Sequence, residues 1–271
     1  MNEYMLANQR LWNEWTDIHE KSALYDVDGF RRGKRRLHPL EIEEVGDVTD
    51  KSLLHLQCHF GLDTLSWADR GATVTGVDFS PRAVKLARSL ATELNMPATF
   101  VEANVLELPD HLEGKFDIVF TSFGAIYWLP DIEQWGRVIS HFLKPGGMFY
   151  IAEFHPFGYQ FDDDACQRDL AVRYPYFVKE GPLQFEVEGT YADITATVAE
   201  KFEYAWPHTL GDIVTSLCKA GLVIEFLHEF PFTIYQQNSW VEKRADGYYH
   251  PLEGLTPVPL IFSIKAAKGS N

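Results

Sequence analysis

Three short stretches put groups able to bind or react just beyond an apolar run. "LLHLQCHFGLD" (53–63) passes from such a run into a turn holding Gln57, His59 and Gly61, and "GVDFS" (76–80) ends another on Asp78 and Phe79. "EANV" (102–105) ends a third on Asn104 and Val105. A carboxylate after a second strand can accept a hydrogen bond from each hydroxyl of a ribose, while Phe79 can lie against a flat base and Asn104 can bond its edge. Plainer uses exist for each: a solvated helix-start residue for Asp78, core packing for Phe79, and no use that Asn104 alone would reveal.

A second set of residues suits an acceptor pocket. "TSFGAIYWLPD" (121–131) places Ser122, Tyr127 and Trp128 after a fourth apolar run, and "AEFHP" places His155 after a fifth. An imidazole there is placed to act as a general base, or to cap the turn before Pro156. Tyr127 joins His155 as a candidate catalytic residue, and Tyr127 with Trp128 suits either a substrate wall or the core. Trp12, Trp15 and His19 recur at helical spacing, forming either a lid over a ligand or a packed face. His208 in "WPHTL" opens a late helix.

The elements that must position these groups alternate. Residues 4–20 and 39–46 read as helices. "SLLHLQ", "ATVTGVD", "ATFVEA", "FDIVFTSF" and "GMFYIAEF" read as strands, separated by "GLDTLSWADRG", "SPRAVKLARSLATELN" and "DIEQWGRVISHFL" as helices. Ser80 is a suitable N-cap with Pro81 in the first turn. Strands alternating with helices imply a parallel sheet covered on both faces, and Ile118-Val119-Phe120 suits a strand buried on both. The rhythm breaks after Phe154. "LQFEVEGTYAD" and "ITATVAEKFEYAW" read as paired antiparallel strands of a cap over the sheet. "TLGDIVTSLCKAG" resumes as helix, "LVIEFLHEF" as strand, and "PLIFSIKAAK" as a final antiparallel strand at the edge, since no crossover helix precedes it.

Composition narrows the function. The 271 residues are 46% hydrophobic and 14% aromatic, enough for a packed core, and the formal net charge is −15. That charge opposes general affinity for nucleic acid or anionic membrane, although "FRRGKRRLHP" concentrates Arg31, Arg32, Lys34, Arg35 and Arg36. This run is either an anion grip or a solvated loop before the next helix. Cys58, Cys166 and Cys218 lie far apart, giving neither a disulfide framework nor a metal site and pointing to a cytoplasmic protein. No signal peptide or membrane-spanning stretch is expected.

"LLHLQCHFGLDTLSWADRGATVTGVDFSPRAVKLAR", "FVEANVLELP", "FDIVFTSF" and "LKPGG" together resemble the class I S-adenosylmethionine-dependent methyltransferases over roughly residues 50–154. The resemblance implies a Rossmann-like α/β fold: a seven-stranded, mostly parallel sheet with an antiparallel last strand. It implies S-adenosylmethionine as cofactor, Gly61 against its backbone, Asp78 on its ribose, Asn104 and Val105 at its adenine, and Ser122 to Gly124 near the reacting centre. The family's first loop, D-x-G-x-G-x-G, is altered here to His55, Gln57, His59 and Gly61. The acid that helps hold the ligand's ammonium group is missing, though Gln57 keeps an amide oxygen able to accept from it. "HLQCHFGLD", "AIYWLPD" and "WPHTLGDIV" with "AGLVIEFLHEFP" are also similar to a bacterial subgroup of small, largely uncharacterised methyltransferases, in which a glycine-poor loop is usual.

The expected organisation is one methyltransferase domain over 1–271: an N-terminal helical lid (1–48), a cofactor-binding core (49–154), a β-rich cap insertion (155–205) and the C-terminal part of the sheet (206–271). The expected activity is methyl transfer to an unidentified small-molecule acceptor. A non-catalytic binding scaffold is the alternative. An NAD-dependent oxidoreductase would need G-x-G-x-x-G at the first turn, where the first two glycines are absent.

Overall fold

The computed structural model describes residues 1–161, 170–178 and 181–270; Cys166 and part of the expected cap lie outside them. Three helices come first: α1 (Glu3–His19), α2 (Val27–Arg31) and α3 (Pro39–Val45). The alternating core then runs β1 (Ser52–Leu56), α4 (Leu62–Asp69), β2 (Thr73–Asp78), α5 (Pro81–Glu93), β3 (Ala98–Glu102), β4 (Phe116–Thr121), α6 (Ile132–Phe142) and β5 (Leu143–Phe154). A two-stranded hairpin, β6 (Leu183–Glu186) with β7 (Phe202–Ala205), precedes α7 (Leu210–Lys219) and β8 (Leu222–Phe230). A second small hairpin, β9 (Val241–Lys243) with β10 (Tyr249–Pro251), precedes β11 (Ile261–Lys268). The strands β9 and β10 are three residues each, too short to show a period in sequence.

The main sheet has seven strands in the order β3-β2-β1-β4-β5-β11-β8. Neighbours from β3 to β5 are parallel, and β11 is antiparallel to both β5 and β8. The last strand is thus antiparallel as expected, but it is not at the edge. It inserts between β5 and β8, where Ile264 faces Ile151 on one side and Leu227 on the other. Its residues Ile261, Phe262 and Ile264 are fully buried, which an edge position would not achieve. The half-exposed β8 takes the edge instead.

Period-2 alternation divides the core between two faces. Leu53, Ile118, Phe120 and Tyr150 join Trp67 of α4 and Val45 of α3. Leu54, Leu56, Val119, Phe149 and Ile151 join Trp135, Val138 and Phe142 of α6 and Ile213 and Leu217 of α7. The run 118–120 is therefore buried on both sides. The Ser80 side chain accepts from Ala83 N with Pro81 in the first turn, so α5 starts where the residue types place it.

The basic run is partly helical and largely neutralised. Arg31 reaches Glu20, Asp28 and Glu93, Lys34 pairs with Asp26, and Arg35 pairs with Asp69. Arg36 turns inward and donates to Leu24 O at 2.8 Å. The run is therefore not a free anion-binding patch.

Helix α1 ties the front of the sheet to the hairpin. Gln9 donates to Phe79 O, Asn13 Oδ1 accepts from Ser80 Oγ, and Asp17 pairs with Arg82, all at the start of α5. From the same helix, the Asn8 amide brackets the backbone of Tyr204 at 2.7 and 2.9 Å, Glu14 accepts from Ala199 N and Glu200 N, and Trp15 donates to Gly189 O.

Candidate active site

A cavity of about 630 Å³ opens beyond the carboxyl ends of β1, β2, β3 and β4, where open α/β sheets bind ligands. Its floor is the turn after β1. Gln57, His59 and Gly61 all take left-handed backbone, with φ of 56°, 50° and 77°. Only the last is glycine, and the conformation costs an L-residue about 1–2 kcal/mol. Backbone bonds hold the turn: Cys58 N to Val77 O at 2.8 Å, Gly61 N to Cys58 O at 2.9 Å, and His59 N to Asp78 Oδ2 at 2.8 Å. At Gly61 a Cβ would lie 2.5 Å from the Phe100 ring and 3.2 Å from Ala87 Cβ, so this position has no room for a side chain.

The two substituted side chains do not fill the turn. Gln57 Nε2 donates to Ala125 O at 2.7 Å, joining the turns after β1 and β4. Among the described residues its buried Oε1 has no partner. The His59 ring lies against Phe60 and Trp12, with centroids 4.2 and 5.1 Å away, and its Nε2 is 3.0 Å from His19 Nδ1. Burial lowers both imidazoles, His19 to about 3 and His59 well below the ordinary histidine value, so both are neutral near pH 7.

At the end of β2, Asp78 is 8% exposed. Oδ2 accepts from His59 N and Oδ1 from Ser80 N, both at 2.8 Å. Burial pushes the carboxyl up to about 6, against the pull of these backbone donors. Each oxygen keeps a lone pair for a further donor. Half-buried Phe79 lines the cavity beside it, and Asn104 accepts from Leu106 N at the start of the turn that carries buried Val105.

His55 occupies the place of the expected acid, and it is fully enclosed. Nδ1 lies 2.8 Å from Thr64 Oγ1 and Nε2 3.1 Å from Ser122 Oγ, with burial lowering the ring to about 3. Ser122 in turn reaches Asp63 Oδ2 at 3.5 Å. Asp63, in the first turn of α4, lines the cavity with its carboxyl raised by burial, opposed by Arg36 and by the Ser122 hydroxyl. The carboxyl missing at 55 is thus present eight residues later.

The far wall is aromatic. Tyr127 lies 5.5 Å from Trp128 and 5.4 Å from Tyr159, and Tyr235 lies 5.6 Å from Phe154. Trp12 contacts both Trp15 and Trp128, at 5.2 and 5.4 Å, so helix α1 closes this side. Buried Glu153, at the end of β5, accepts from Gly124, Ala125 and Ile126 N and fixes the turn after β4. Its carboxyl is nonetheless raised to about 7 by burial. Glu203 of β7 also lines the cavity.

Gln57, His59, Gly61, Asp78, Phe79, Asn104, Val105, Ser122, Tyr127, Trp128, Trp12 and Trp15 all line this one cavity. His155 does not. Its Nε2 bonds Glu229 Oε1 at 2.8 Å and its Nδ1 accepts from Phe157 N at 3.0 Å, so both nitrogens serve the turn before and after Pro156. His155 caps structure and is not placed as a base. His19 lies behind the wall, bonded to His59 and to Thr190 Oγ1, and orients His59 without touching the cavity. His208 bonds Leu129 O next to the Thr209 cap of α7. Burial and then the Glu203 charge raise the Tyr127 hydroxyl well above its usual value, so it is neutral near pH 7.

Sequence reading missed Asp63, Glu153, Glu203 and Tyr159, and it named Arg36 only as part of the basic run. For Asp63 a signal existed, an acid two residues after Gly61 in a first helical turn. Glu203 and Tyr159 come to the cavity through long-range packing and carry no local signal.

Residues 53–147 match the family model described as a methyltransferase domain. The chain is similar to an uncharacterised methyltransferase of Synechocystis, 36% identical over 127 residues, covering 45% of this chain and 56% of that protein. It is similar to the ubiquinone biosynthesis O-methyltransferase of Escherichia coli, 28% identical over 135 residues, covering 48% of this chain and 56% of that one. The chain thus spans little more than half the length of these relatives. Its fold is similar to that of an S-adenosylmethionine-dependent methyltransferase from Mesorhizobium loti, with a TM-score of 0.61 at 24% identity over 85% of this chain and 96% of that one.

Proposed function

We propose that this chain, which carries a class I S-adenosylmethionine-dependent methyltransferase domain, transfers a methyl group from that cofactor to a small-molecule acceptor. One observation carries the reading: Asp78, with a free lone pair on each carboxylate oxygen, shares a cavity with Gln57, whose buried amide oxygen lacks a partner among the described residues. A ribose diol and an ammonium group are the donors these two acceptors fit. Gly61 leaves the turn open to close approach, and Phe79 with Asn104 offers a face and an edge for a base. Asp63 supplies the carboxylate near the ammonium that His55, buried and neutral, does not.

When bound, the cofactor supplies a methyl group on sulfonium sulfur, activated for in-line displacement. The protein's part is alignment and exclusion of water. Gln57 and Glu153 both fix the turn after β4, Gln57 at Ala125 O and Glu153 at three backbone N–H groups, and this turn leads to Tyr127 and Trp128. Trp12 and Trp15 on α1, with the β6–β7 hairpin, close the acceptor side. The enclosure favours a small or medium acceptor over a folded macromolecule.

Among the described residues no helix is long and apolar enough to cross a membrane, and the free thiols of Cys58 and Cys218 suit a cytoplasmic setting. Calorimetric titration with adenosylhomocysteine tests the reading. Micromolar or tighter binding with no response to NADH is expected. Failure to bind to folded protein would leave a non-catalytic scaffold as the function of this cavity.

A further inference from the structure

The acceptor side of the cavity holds a carboxylate that no described residue satisfies. Glu203 lies on β7 opposite Phe185 of β6. Its chain neighbour Tyr204 is clamped by Asn8 and packs on Tyr4 at 4.8 Å, leaving Glu203 to point to the cavity it lines. The residue is half-buried, and its carboxyl has no hydrogen-bond or ion-pair partner among the described residues. Desolvation alone raises it, to about 7.

The other carboxylates lining the cavity that are not exposed are committed. Asp78 accepts two backbone N–H groups, and Asp63 faces Arg36. Arg36 lines the cavity but donates to Leu24 O and lies over the Tyr25 ring at 5.6 Å, and among the described residues no lysine lines the cavity. Tyr127 and Tyr159 line the same cavity with their rings 5.4 Å apart, and burial raises both hydroxyls, with the Glu203 charge a lesser cause. A half-buried carboxylate sharing a cavity with aromatic rings attracts a cation by charge and by the ring quadrupoles, and it opposes an anion.

We propose that the methyl acceptor is a small primary or secondary amine, its nitrogen held by Glu203 between Tyr127 and Tyr159, so that the product is an N-methylated amine. The proposal rests on the methyl-transfer reading above. Glu203 takes one proton from the bound ammonium, which frees the nitrogen lone pair. The nitrogen then forms its bond to the methyl carbon while the carbon–sulfur bond breaks, with that electron pair staying on sulfur. The methylated ammonium departs, and Glu203 returns its proton to solvent.

The test is calorimetry on the full chain saturated with adenosylhomocysteine. Tyramine, tryptamine and cyclohexylamine are each compared with the matching alcohol, and 4-hydroxyphenylacetate serves as the anionic probe. At least one amine should bind about tenfold or more tightly than its alcohol, about 1.4 kcal/mol, and the anion should not bind. Glu203→Gln should remove that preference while adenosylhomocysteine affinity stays within about twofold, which separates a lost contact from a lost fold. Adenosylhomocysteine binding without any amine preference, or a preference that survives Glu203→Gln, overturns the proposal. No adenosylhomocysteine binding by folded protein overturns the methyl-transfer reading and this proposal with it.

Discussion

The Asp78 carboxyl makes cofactor affinity pH-dependent in a way that can be worked from its surroundings. Its two oxygens already accept from His59 N and Ser80 N, leaving one lone pair each for the two ribose hydroxyls. A hydrogen bond to a charged group contributes about 1.5–3 kcal/mol, so the pair contributes about 3–6 kcal/mol in the ionised form. Burial raises this carboxyl to about 6 in the free protein. A raised carboxyl is protonated first as pH falls, and the protonated acid cannot accept on both sides. Affinity for adenosylhomocysteine is therefore flat above about pH 7 and declines as pH drops through about 6, by roughly tenfold at pH 5, or about 1.4 kcal/mol. Asp63 also lies in the cavity with a raised carboxyl, so Asp63→Asn is the necessary companion. Calorimetry at pH 8, 7, 6 and 5 should show the decline in wild type and in Asp63→Asn. Asp78→Asn should bind about a hundredfold more weakly at pH 8, and in the Asp63→Asn background its affinity should no longer fall between pH 7 and 5. A flat wild-type profile, or the same slope in Asp78→Asn, would refute the assignment of the ribose to Asp78.

Three further outcomes follow from single contacts. Gly61→Ala combines a left-handed backbone with a Cβ 2.5 Å from the Phe100 ring, and urea denaturation should show a loss of about 2–5 kcal/mol, partly recovered by Phe100→Leu. Gln57→Gly relieves a φ of 56° but loses the bond to Ala125 O, so stability should stay within about 1 kcal/mol. The same variant should weaken adenosylhomocysteine binding about tenfold or more, because the ammonium acceptor is gone. His155→Ala should lower stability by about 1–3 kcal/mol through the lost bonds to Glu229 and Phe157, with adenosylhomocysteine affinity unchanged. An affinity loss above about tenfold in a folded His155→Ala protein would return this residue to the binding site.

What the sequence determined by itself is whatever depends on neighbours along the chain. Alternating apolar runs with capped helices between them specify a parallel sheet, because each run can be buried only if helices cover both faces. The same locality pointed to Asp78, Asn104 and Ser122, which line the cavity, since each lies at or within two residues of the end of a strand that the pattern marks. Gly61 was legible for the same reason, as the one residue at the start of α4 able to let the helix meet β3. Tertiary structure alone decided what depends on chains meeting from far away. β11 slots between β5 and β8 because only there are both faces and both edges of Ile264 covered, and no local pattern states a neighbour. The fate of the histidines was also hidden: a ring after a strand reads alike whether its nitrogens face a cavity or, as in His155, are taken up by Glu229 and Phe157. Gln57 and His59 keep a glycine-like path because Val77 and Asp78 of β2 and Ala125 after β4, from two other segments, hold the turn. Glu203 reaches the cavity because a helix nearly two hundred residues earlier, through Asn8, clamps the strand that carries it.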